Sequence, residues 1–270
     1  MSLKERADVA LVRRGLAESR EKAQAQIMAG LVFADLRKIQ KSSDTVTEEE
    51  TLSVRGSVHP FVSRGGLKLE KALDTFGADV SGLVAMDIGA ATGGFTDVLL
   101  RRGAAHVYAI DVGYGQLDWE LRNHEKVTVM ERTNARYLKQ EQFDKRPALT
   151  VMDVSFISIR LILPVAAGIM GESGQFFTLI KPQFEAGKDR VGKKGVVRDP
   201  QVHQSVLEEI VDFAPSIGLH VKGLTFSPIT GPEGNVEFLA HIVSKHGDII
   251  EISREYIKKV VDEAHFTLKK

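Results

Sequence analysis

From residue 84 onwards, short apolar runs alternate with stretches in which apolar residues recur at helical spacing. A continuous short apolar run is typical of a strand buried on both faces, and an apolar residue every three or four positions is typical of a helix packed on a sheet. Strands are predicted at 84–88, 106–111, 127–131, 149–153, 175–182, 219–226 and 236–243. Helices are predicted at 67–76, 95–102, 202–217 and 253–268. This rhythm predicts an α/β fold with a doubly wound sheet.

The first forty residues have a different pattern. Two apolar stripes predict short helices that end at Gly15 and Gly30, and Ser19 is a typical N-cap for the second helix. Short strands follow, the last at 52–54. We therefore predict a small α+β domain over 1–59 and a larger α/β domain over 60–270.

Composition narrows the possible functions only a little. The 270 residues contain 36 basic and 36 acidic side chains, so the net charge gives no reason to expect nucleic-acid binding. Only local clusters of basic residues can indicate it. Cysteine is absent, which excludes disulfides, thiolate catalysis and cysteine-based zinc sites. No apolar run approaches eighteen residues and no secretory signal pattern is seen, so a cytoplasmic protein is expected.

The segment 84–100 predicts a strand, a glycine-rich loop and a helix, which is a common ligand-binding arrangement. Glycines allow unusual backbone conformations and close ligand approach, and the helix N-terminus offers unpaired N–H groups. Gly89, Ala91 and Gly94 approximate a dinucleotide fingerprint, with Asp111 seventeen positions after Gly94 as the acceptor for a ribose diol. Asp87 would repel a pyrophosphate but attract a cationic, amino-bearing ligand. An ordinary strand-to-helix turn is the alternative.

Charged residues end several predicted strands, where a doubly wound sheet builds its site. Asp153 and Lys181 follow strands that are otherwise apolar, and Glu237 begins the last strand. Lys68 lies in the first turn of a predicted helix, where a cation opposes the helix dipole. A residue placed against its local preference indicates a function, although a loose surface lysine is the alternative.

Basic residues cluster in two segments. Residues 1–41 carry nine basic against five acidic side chains, and residues 181–198 carry six against two, interleaved with glycines. Such clusters suit a phosphate backbone, and a flexible loop is expected to order on binding. The candidate RNA-binding residues are Arg13, Arg14, Arg20, Lys22, Arg64, Lys188, Arg190, Lys193 and Lys194. A solvated surface is the alternative for both segments.

Three motifs resemble known families. The loop at 87–95 resembles motif I of class I methyltransferases, which bind S-adenosylmethionine, and residues 19–32 resemble the S4 RNA-binding module. Segment 33–37 lacks the usual Asn-Gly turn, so its hairpin is expected to be altered. Lys68, Asp153, Lys181 and Glu237 resemble the tetrad of FtsJ-like RNA 2′-O-ribose methyltransferases. With segments 62–68 and 181–185, nearly the whole chain is similar to the haemolysin A (TlyA-like) family of ribosomal RNA methyltransferases.

The resemblance implies the architecture and the site. It implies a Rossmann-like sheet of seven strands in the order 3-2-1-4-5-7-6, with strand 7 antiparallel, so that Asp153, Lys181 and Glu237 converge at one edge. Lys181 would then act as a base or as a cation that steers the forming alkoxide, while the carboxylates orient the lysines. The implied cofactor-binding residues are Asp87, Gly89, Ala90, Thr92, Gly93, Gly94, Phe95, Asp111, Asn134 and Asp153. Arg136 is an alternative to Asn134 near the adenine, and no metal is expected.

The implied function is an S-adenosylmethionine-dependent 2′-O-methyltransferase that acts on cytidine in ribosomal RNA or ribosomal subunits. Two alternatives belong to other classes. One is a membrane-active haemolysin, against which the sequence shows no signal, membrane span or long cationic amphipathic helix. The other is a catalytically idle RNA-binding assembly factor, which would bind RNA without methyl transfer.

Overall fold

The computed structural model describes residues 4–28, 30–54, 59–244 and 251–268. The chain divides into two compact units, Met1–Pro60 and Phe61–Lys270. The sequence predicts the boundary between domains near residues 56–60, which lie in part outside the described ranges.

The first unit combines two helices with short strands. Its elements are β1 (Lys4–Arg6), α1 (Ala7–Arg13), α2 (Arg20–Met28), β2 (Val32–Ala34), β3 (Arg37–Lys38), β4 (Thr45–Thr47) and β5 (Leu52–Val54). Strand β2 pairs antiparallel with β3 and β5, and β1 pairs antiparallel with β4. The N-cap prediction for Ser19 is confirmed, since its Oγ accepts a hydrogen bond from the N–H of Lys22 at 3.2 Å.

The β2–β3 hairpin forms without the Asn-Gly turn. Ala34 pairs with Arg37, so two residues make the connection, and Asp35 takes a left-handed conformation with φ of +54°. Aspartate tolerates this conformation better than most residues do. The Asp35 side chain also accepts a hydrogen bond from the N–H of Thr51 at 3.0 Å, which ties the turn to the segment before β5.

The second unit is built on a seven-stranded sheet. Its strands are β6 (Val84–Ile88), β7 (His106–Ile110), β8 (Val127–Met130), β9 (Leu149–Met152), β10 (Gln175–Ile180), β11 (Leu219–Phe226) and β12 (Phe238–Ser244). Their order across the sheet is β8-β7-β6-β9-β10-β12-β11, and β12 is antiparallel to both of its neighbours. This is the expected order 3-2-1-4-5-7-6, so the predicted fold class is confirmed.

Helices cover both faces of the sheet. They are α3 (Gly65–Phe76), α4 (Gly94–Arg101), α5 (Trp119–Arg122), α6 (Leu163–Met170), α7 (Pro182–Glu185), α8 (Pro200–Phe213) and α9 (Arg254–Leu268). One apolar core joins Met86 and Phe176 to α6, α8 and α9, and a second joins Ala85 and Phe177 to α3 and α4. Adjacent strand residues therefore face opposite layers, as the alternation of a buried strand requires.

Several predicted boundaries shift by one to four residues, including the two that follow. The helix predicted over 202–217 ends as an α-helix at Phe213 and continues as a 3₁₀ turn over Ala214–Ile217, which contains Pro215. Proline has no N–H to continue the α-helical pattern. The last strand begins at Phe238, so Glu237 lies immediately before it.

Candidate active site

The glycine-rich loop after β6 is packed tightly against its own chain. Gly89 has φ of +84°, and a Cβ there would lie 2.7 Å from the main-chain oxygen of Asp153. A Cβ on Gly94 would lie 2.8 Å from the main-chain nitrogen of Gly66 in α3. These glycines were predicted to allow an unusual backbone conformation and the close approach of a ligand. The structure adds that contacts with β9 and α3 exclude a side chain at both positions.

Asp87 lies on the face of the sheet that α3 and α4 cover, and it is fully buried. Its Oδ2 accepts a hydrogen bond from Thr96 Oγ1 at 2.7 Å, whereas its Oδ1 is buried without a hydrogen-bond partner among the described residues. Burial raises the pKa of Asp87 to about 7. The Asp87 carboxylate is therefore buried under the glycine-rich loop, and its hydrogen bond with Thr96 links it to α4.

A first cavity of about 420 Å³ opens at the carboxyl ends of β6, β7 and β9. Asp111 forms part of its wall, and its carboxylate accepts hydrogen bonds from the N–H groups of Ala91 at 2.8 Å and Gly113 at 2.7 Å. The predicted cofactor residues that line this cavity are Gly89, Asp111, Asn134 and Asp153. Other lining residues belong to no motif in the sequence and were not predicted. They lie in the connections that follow the strands: Val112, Gln116, Thr133, Ser155, Phe156 and Ile157.

A second cavity of about 240 Å³ shares Gly89, Asp153 and Ser155 with the first, so the two adjoin. The predicted residues Ala90, Thr92, Gly94, Phe95, Lys68, Lys181 and Glu237 line it. Asp87 and Gly93 line neither cavity. Gly93 has φ of +95°, and a Cβ there would clash with the side chain of Leu117. The turn and this packing therefore explain why the residue is glycine.

The four predicted tetrad residues come together in the second cavity. Lys181 Nζ lies 2.6 Å from Asp153 Oδ1, and Lys68 Nζ lies 2.7 Å from Glu237 Oε2 and 3.4 Å from Asp153 Oδ2. Lys68 and Lys181 are each 8% exposed and Glu237 is 1% exposed. Asp153 therefore lies between two ammonium groups, in a site from which most water is excluded.

The charges in this cluster support one another. Burial alone would lower the pKa of Lys68, but the carboxylates of Asp153 and Glu237 outweigh it and hold that pKa above its usual value. Burial alone would raise the pKa of Asp153, but the ammonium groups of Lys68 and Lys181 outweigh it and hold that pKa below its usual value. Both groups therefore remain ionised at neutral pH.

Ser155 is a contact that the sequence analysis missed. Lys181 Nζ donates a hydrogen bond to Ser155 Oγ at 3.0 Å. An ammonium group has three N–H donors, and Ser155 takes one of them, whereas the contact with Asp153 Oδ1 is an ion pair. The only sequence signal for Ser155 is its place two residues after Asp153, where the chain leaves β9.

The basic segment after β10 is folded into two 3₁₀ turns, Lys188–Arg190 and Lys193–Gly195. Asn235 anchors it, because Asn235 Nδ2 donates to the oxygen of Gly195 at 3.0 Å and Oδ1 accepts from the N–H of Val197 at 3.0 Å. Of the candidate RNA-binding residues in the second unit, Lys188, Lys193, Lys194 and Arg64 are exposed. Arg190 is also exposed but is held by Glu209 at 2.9 Å, by Ser205 at 2.9 Å and by the oxygen of Ala186 at 2.6 Å.

The candidate basic residues of the first unit all make contacts within that unit. Arg13 pairs with Glu5 at 3.0 Å, Arg20 pairs with Asp8 at 3.0 Å, and Lys22 pairs with Glu18. Arg14 instead donates to the main-chain oxygens of Glu50 at 2.7 Å and Thr47 at 2.8 Å. Arg14 therefore ties α1 to the β4–β5 connection, which is a structural role. The role of these residues in RNA binding stays a prediction.

Comparison with known proteins identifies the family. A sequence profile of the FtsJ-like methyltransferases matches residues 61–243, and a profile of the S4 domain matches residues 5–52. The chain belongs to the FtsJ-like methyltransferase family. The match covers the whole sheet and every residue of the tetrad, so this methyltransferase carries an S4 domain before its FtsJ-like part.

Named relatives agree with this membership. The chain is 50% identical over 273 residues to "Putative rRNA methyltransferase YqxC" of Bacillus subtilis, covering 99% of this chain and 96% of the relative. It is 47% identical over 239 residues to the 16S/23S rRNA (cytidine-2′-O)-methyltransferase TlyA of Mycobacterium tuberculosis, covering 88% and 89%. A solved structure titled "Putative hemolysin from Streptococcus thermophilus" matches with a TM-score of 0.79 and 45% identity, covering 99% and 98%.

Two further features of the structure concern membrane insertion and metal binding. No helix within the described ranges is both long and apolar enough to cross a membrane. In the same part of the chain, no group of three or more histidine, aspartate or glutamate side chains is arranged to hold a metal ion.

Proposed function

We propose that this protein transfers a methyl group from S-adenosylmethionine to the 2′-hydroxyl of a cytidine in ribosomal RNA. The observation that carries the proposal is the convergence of Lys68, Asp153, Lys181 and Glu237 in a buried cavity that adjoins a second cavity at the glycine-rich loop. Several relatives are named as rRNA methyltransferases, and the names of those from Mycobacterium tuberculosis and Campylobacter jejuni specify the cytidine 2′-oxygen.

The first cavity fits the cofactor. Its volume of about 420 Å³ lies in the range of small-molecule sites, about 300–1,000 Å³, and it lies beyond the carboxyl ends of the strands, where doubly wound sheets bind nucleotides. Asp111 would accept hydrogen bonds from ribose hydroxyls, and Asn134 would contact the adenine. Asp153 lines both cavities, so it would lie between the cofactor and the acceptor hydroxyl. Asp87 and Gly93, which line neither cavity, would contribute by holding the glycine-rich loop in its conformation.

The tetrad supplies the chemistry of the acceptor. S-adenosylmethionine, when bound, provides a methyl group on a positively charged sulfur. A ribose hydroxyl is a weak nucleophile, so it must be held in line and its proton must be removed or shared as the bond forms. Lys181 lines the cavity, where it forms an ion pair with Asp153 and donates one of its three N–H groups to Ser155. It would bind the hydroxyl oxygen, while Lys68 and Glu237 hold Asp153 and thereby Lys181 in place.

The exposed basic residues would hold the RNA. Lys188, Lys193 and Lys194 lie in the segment that follows β10, close in sequence to Lys181, and cations at such a position neutralise backbone phosphates. The ring of Phe156 is 91% exposed and lines the first cavity, so it offers a stacking surface for a base. The S4 domain would add contacts to structured RNA.

The direct test is transfer of tritiated methyl groups from S-adenosylmethionine to purified small and large ribosomal subunits. We expect incorporation into one or both subunits, with the methyl group mapped by mass spectrometry to a cytidine 2′-oxygen. RNA binding without incorporation into subunits or free rRNA would favour the assembly factor instead. Lysis of pure liposomes by the protein, unchanged in Lys181→Met, would favour the haemolysin.

A further inference from the structure

A third cavity, of about 670 Å³, lies beside the tetrad and has no role in the proposed function. Four segments form it: the chain after β8 at Arg136, the chain after β9, helix α7 and the basic segment 187–195. Glu185 holds the second and third together, because its carboxylate accepts hydrogen bonds from Ser158 Oγ at 2.6 Å and from the N–H of Ile159 at 2.8 Å. The cavity walls are therefore fixed relative to each other.

One polar atom in this cavity stands out. Oε1 of Gln183 is buried and has no hydrogen-bond partner among the described residues, although Gln183 lines the cavity. A buried acceptor without a donor is unfavourable, and such groups are uncommon in folded proteins. A ligand that brings an N–H group into this cavity would satisfy it once the Gln183 side chain turns to present Oε1 to the cavity.

The other lining residues indicate what kind of ligand fits. Arg136 and Lys188 are cationic, and no acidic side chain lines the cavity. The rings of Phe156 and Phe184 lie with their centroids 5.1 Å apart and provide flat apolar walls. A flat heterocycle attached to an anionic backbone, which describes a nucleotide of RNA, has this combination of properties.

The cavity is also at the right place for the base of the target nucleotide. Gln183 follows Lys181 by two residues, and the ring centroid of Phe184 lies 5.9 Å from Lys181 Nζ. The 2′-oxygen of a nucleotide and its base are attached to adjacent ribose carbons. A ribose hydroxyl held at Lys181 would therefore carry its base into the neighbouring cavity.

We propose that Gln183 recognises the target base, with its Oε1 accepting a hydrogen bond from the exocyclic amino group of cytosine. This inference rests on the proposed function and adds the residue that distinguishes cytidine from uridine. Uracil has a carbonyl oxygen where cytosine has its amino group, so two acceptors would face each other as long as Gln183 presents Oε1 rather than its NH₂ group. A site built around one buried polar group rejects the ligand that leaves it unpaired.

The test compares methyl transfer to ribosomal subunits that carry either cytidine or uridine at the position that the wild-type protein methylates. The rRNA gene supplies the change, after mass spectrometry has mapped the position. We expect wild-type kcat/KM to favour cytidine by about tenfold or more. In Gln183→Leu, which can neither accept nor donate, the preference should fall below about threefold. Gln183→Glu keeps an acceptor and should keep the preference for cytidine.

The controls separate the two proposals. Gln204→Leu makes the same change in α8, where the amide pairs with Glu208 and lines none of the three cavities, and it should keep the wild-type preference. Cofactor affinity measured by calorimetry should be the same in all variants. Absence of transfer by the wild-type protein would overturn the proposed function. Transfer by the wild-type protein with no preference, or an unchanged preference in Gln183→Leu, would overturn only the role of Gln183.

If the Gln183→Leu protein transfers no methyl group at all, its preference cannot be measured, and the Gln183→Glu variant then provides the test. A retained preference for cytidine in that variant supports recognition by an acceptor. Loss of the preference in a variant that still transfers methyl groups, or loss of transfer in it despite normal cofactor affinity, contradicts it.

Discussion

At the scale of single residues, Lys181 is the side chain to which the proposed function assigns the acceptor hydroxyl. It is 8% exposed, and its contacts with Asp153 and Ser155 fix its direction. Its place at the end of an apolar strand predicted its importance, because a charge rarely ends such a run without a partner. Its contact with Ser155 was not predictable, because a serine in a strand-to-helix connection has many possible roles.

We expect Lys181→Met to reduce methyl transfer by about 100-fold or more, because the acceptor oxygen loses its positioning and its charge partner. Cofactor affinity, measured by calorimetry, should change little. Lys181→Arg keeps the charge but effectively cannot lose a proton. Substantial activity in Lys181→Arg would therefore indicate electrostatic steering, and near-complete loss would fit a base. Lys126→Met, at an exposed position, is the matched control, and wild-type rates in Lys181→Met would refute the tetrad.

Asp87 provides a prediction about stability and pH. Its pKa is raised from an ordinary value of 3.8 to about 7, so the folded protein holds a proton that the unfolded chain releases between those values. The Asp87 contribution to stability therefore falls as pH rises from about 4 to 7. At about 1.4 kcal/mol per pKa unit, the loss is at most about 4 kcal/mol.

The variant Asp87→Asn removes this titration and keeps an acceptor for Thr96. The free energy of unfolding of the variant minus that of the wild type should therefore increase between pH 4 and pH 7 and then level off. Urea unfolding of both proteins across this range measures the difference. A difference that stays constant with pH would show that Asp87 does not titrate there.

At the scale of elements, the apolar pattern predicted the seven strands of the sheet to within about two residues, because short apolar runs bounded by turn residues are typical of buried strands. The 3₁₀ turns of the basic segment and the anchoring role of Asn235 were not predicted. Both depend on hydrogen bonds that join residues about 40 positions apart, such as the contact between Asn235 and Gly195. No local propensity contains that information.

Asn235 should control how the basic segment is held. Asn235→Ala removes the hydrogen bonds to Gly195 and Val197, and each lost partner is worth about 1–3 kcal/mol when the remaining group stays buried. We expect the variant to raise the KM for ribosomal subunits and to make the segment 187–195 more sensitive to protease. Cofactor affinity should remain within about twofold. A variant with unchanged KM and unchanged protease sensitivity would show that other contacts hold the segment.

At the scale of the whole molecule, the balanced net charge conceals an uneven distribution. Lys188, Lys193 and Lys194 are exposed in one segment near the tetrad, and the triple change to alanine should reduce the slope of log affinity against log salt by about 2. Binding of ribosomal subunits across a salt series measures this slope. The same change at the exposed residues Lys126, Lys145 and Lys222 should leave it unaffected, and equal slopes in both triple variants would contradict the assignment.

The tetrad also joins distant parts of the chain. The contact between Lys68 and Glu237 spans 169 residues, and β12 enters the sheet between β10 and β11 rather than at its edge. During synthesis from the N-terminus, α3 and five parallel strands leave the ribosome before the residue that pairs with Lys68 has been made. A nascent chain would then have an unpaired edge at β10 and a buried lysine lacking one of its two carboxylates. The protein is therefore expected to acquire methyl-transfer activity only after Glu237 and β12 have been synthesised.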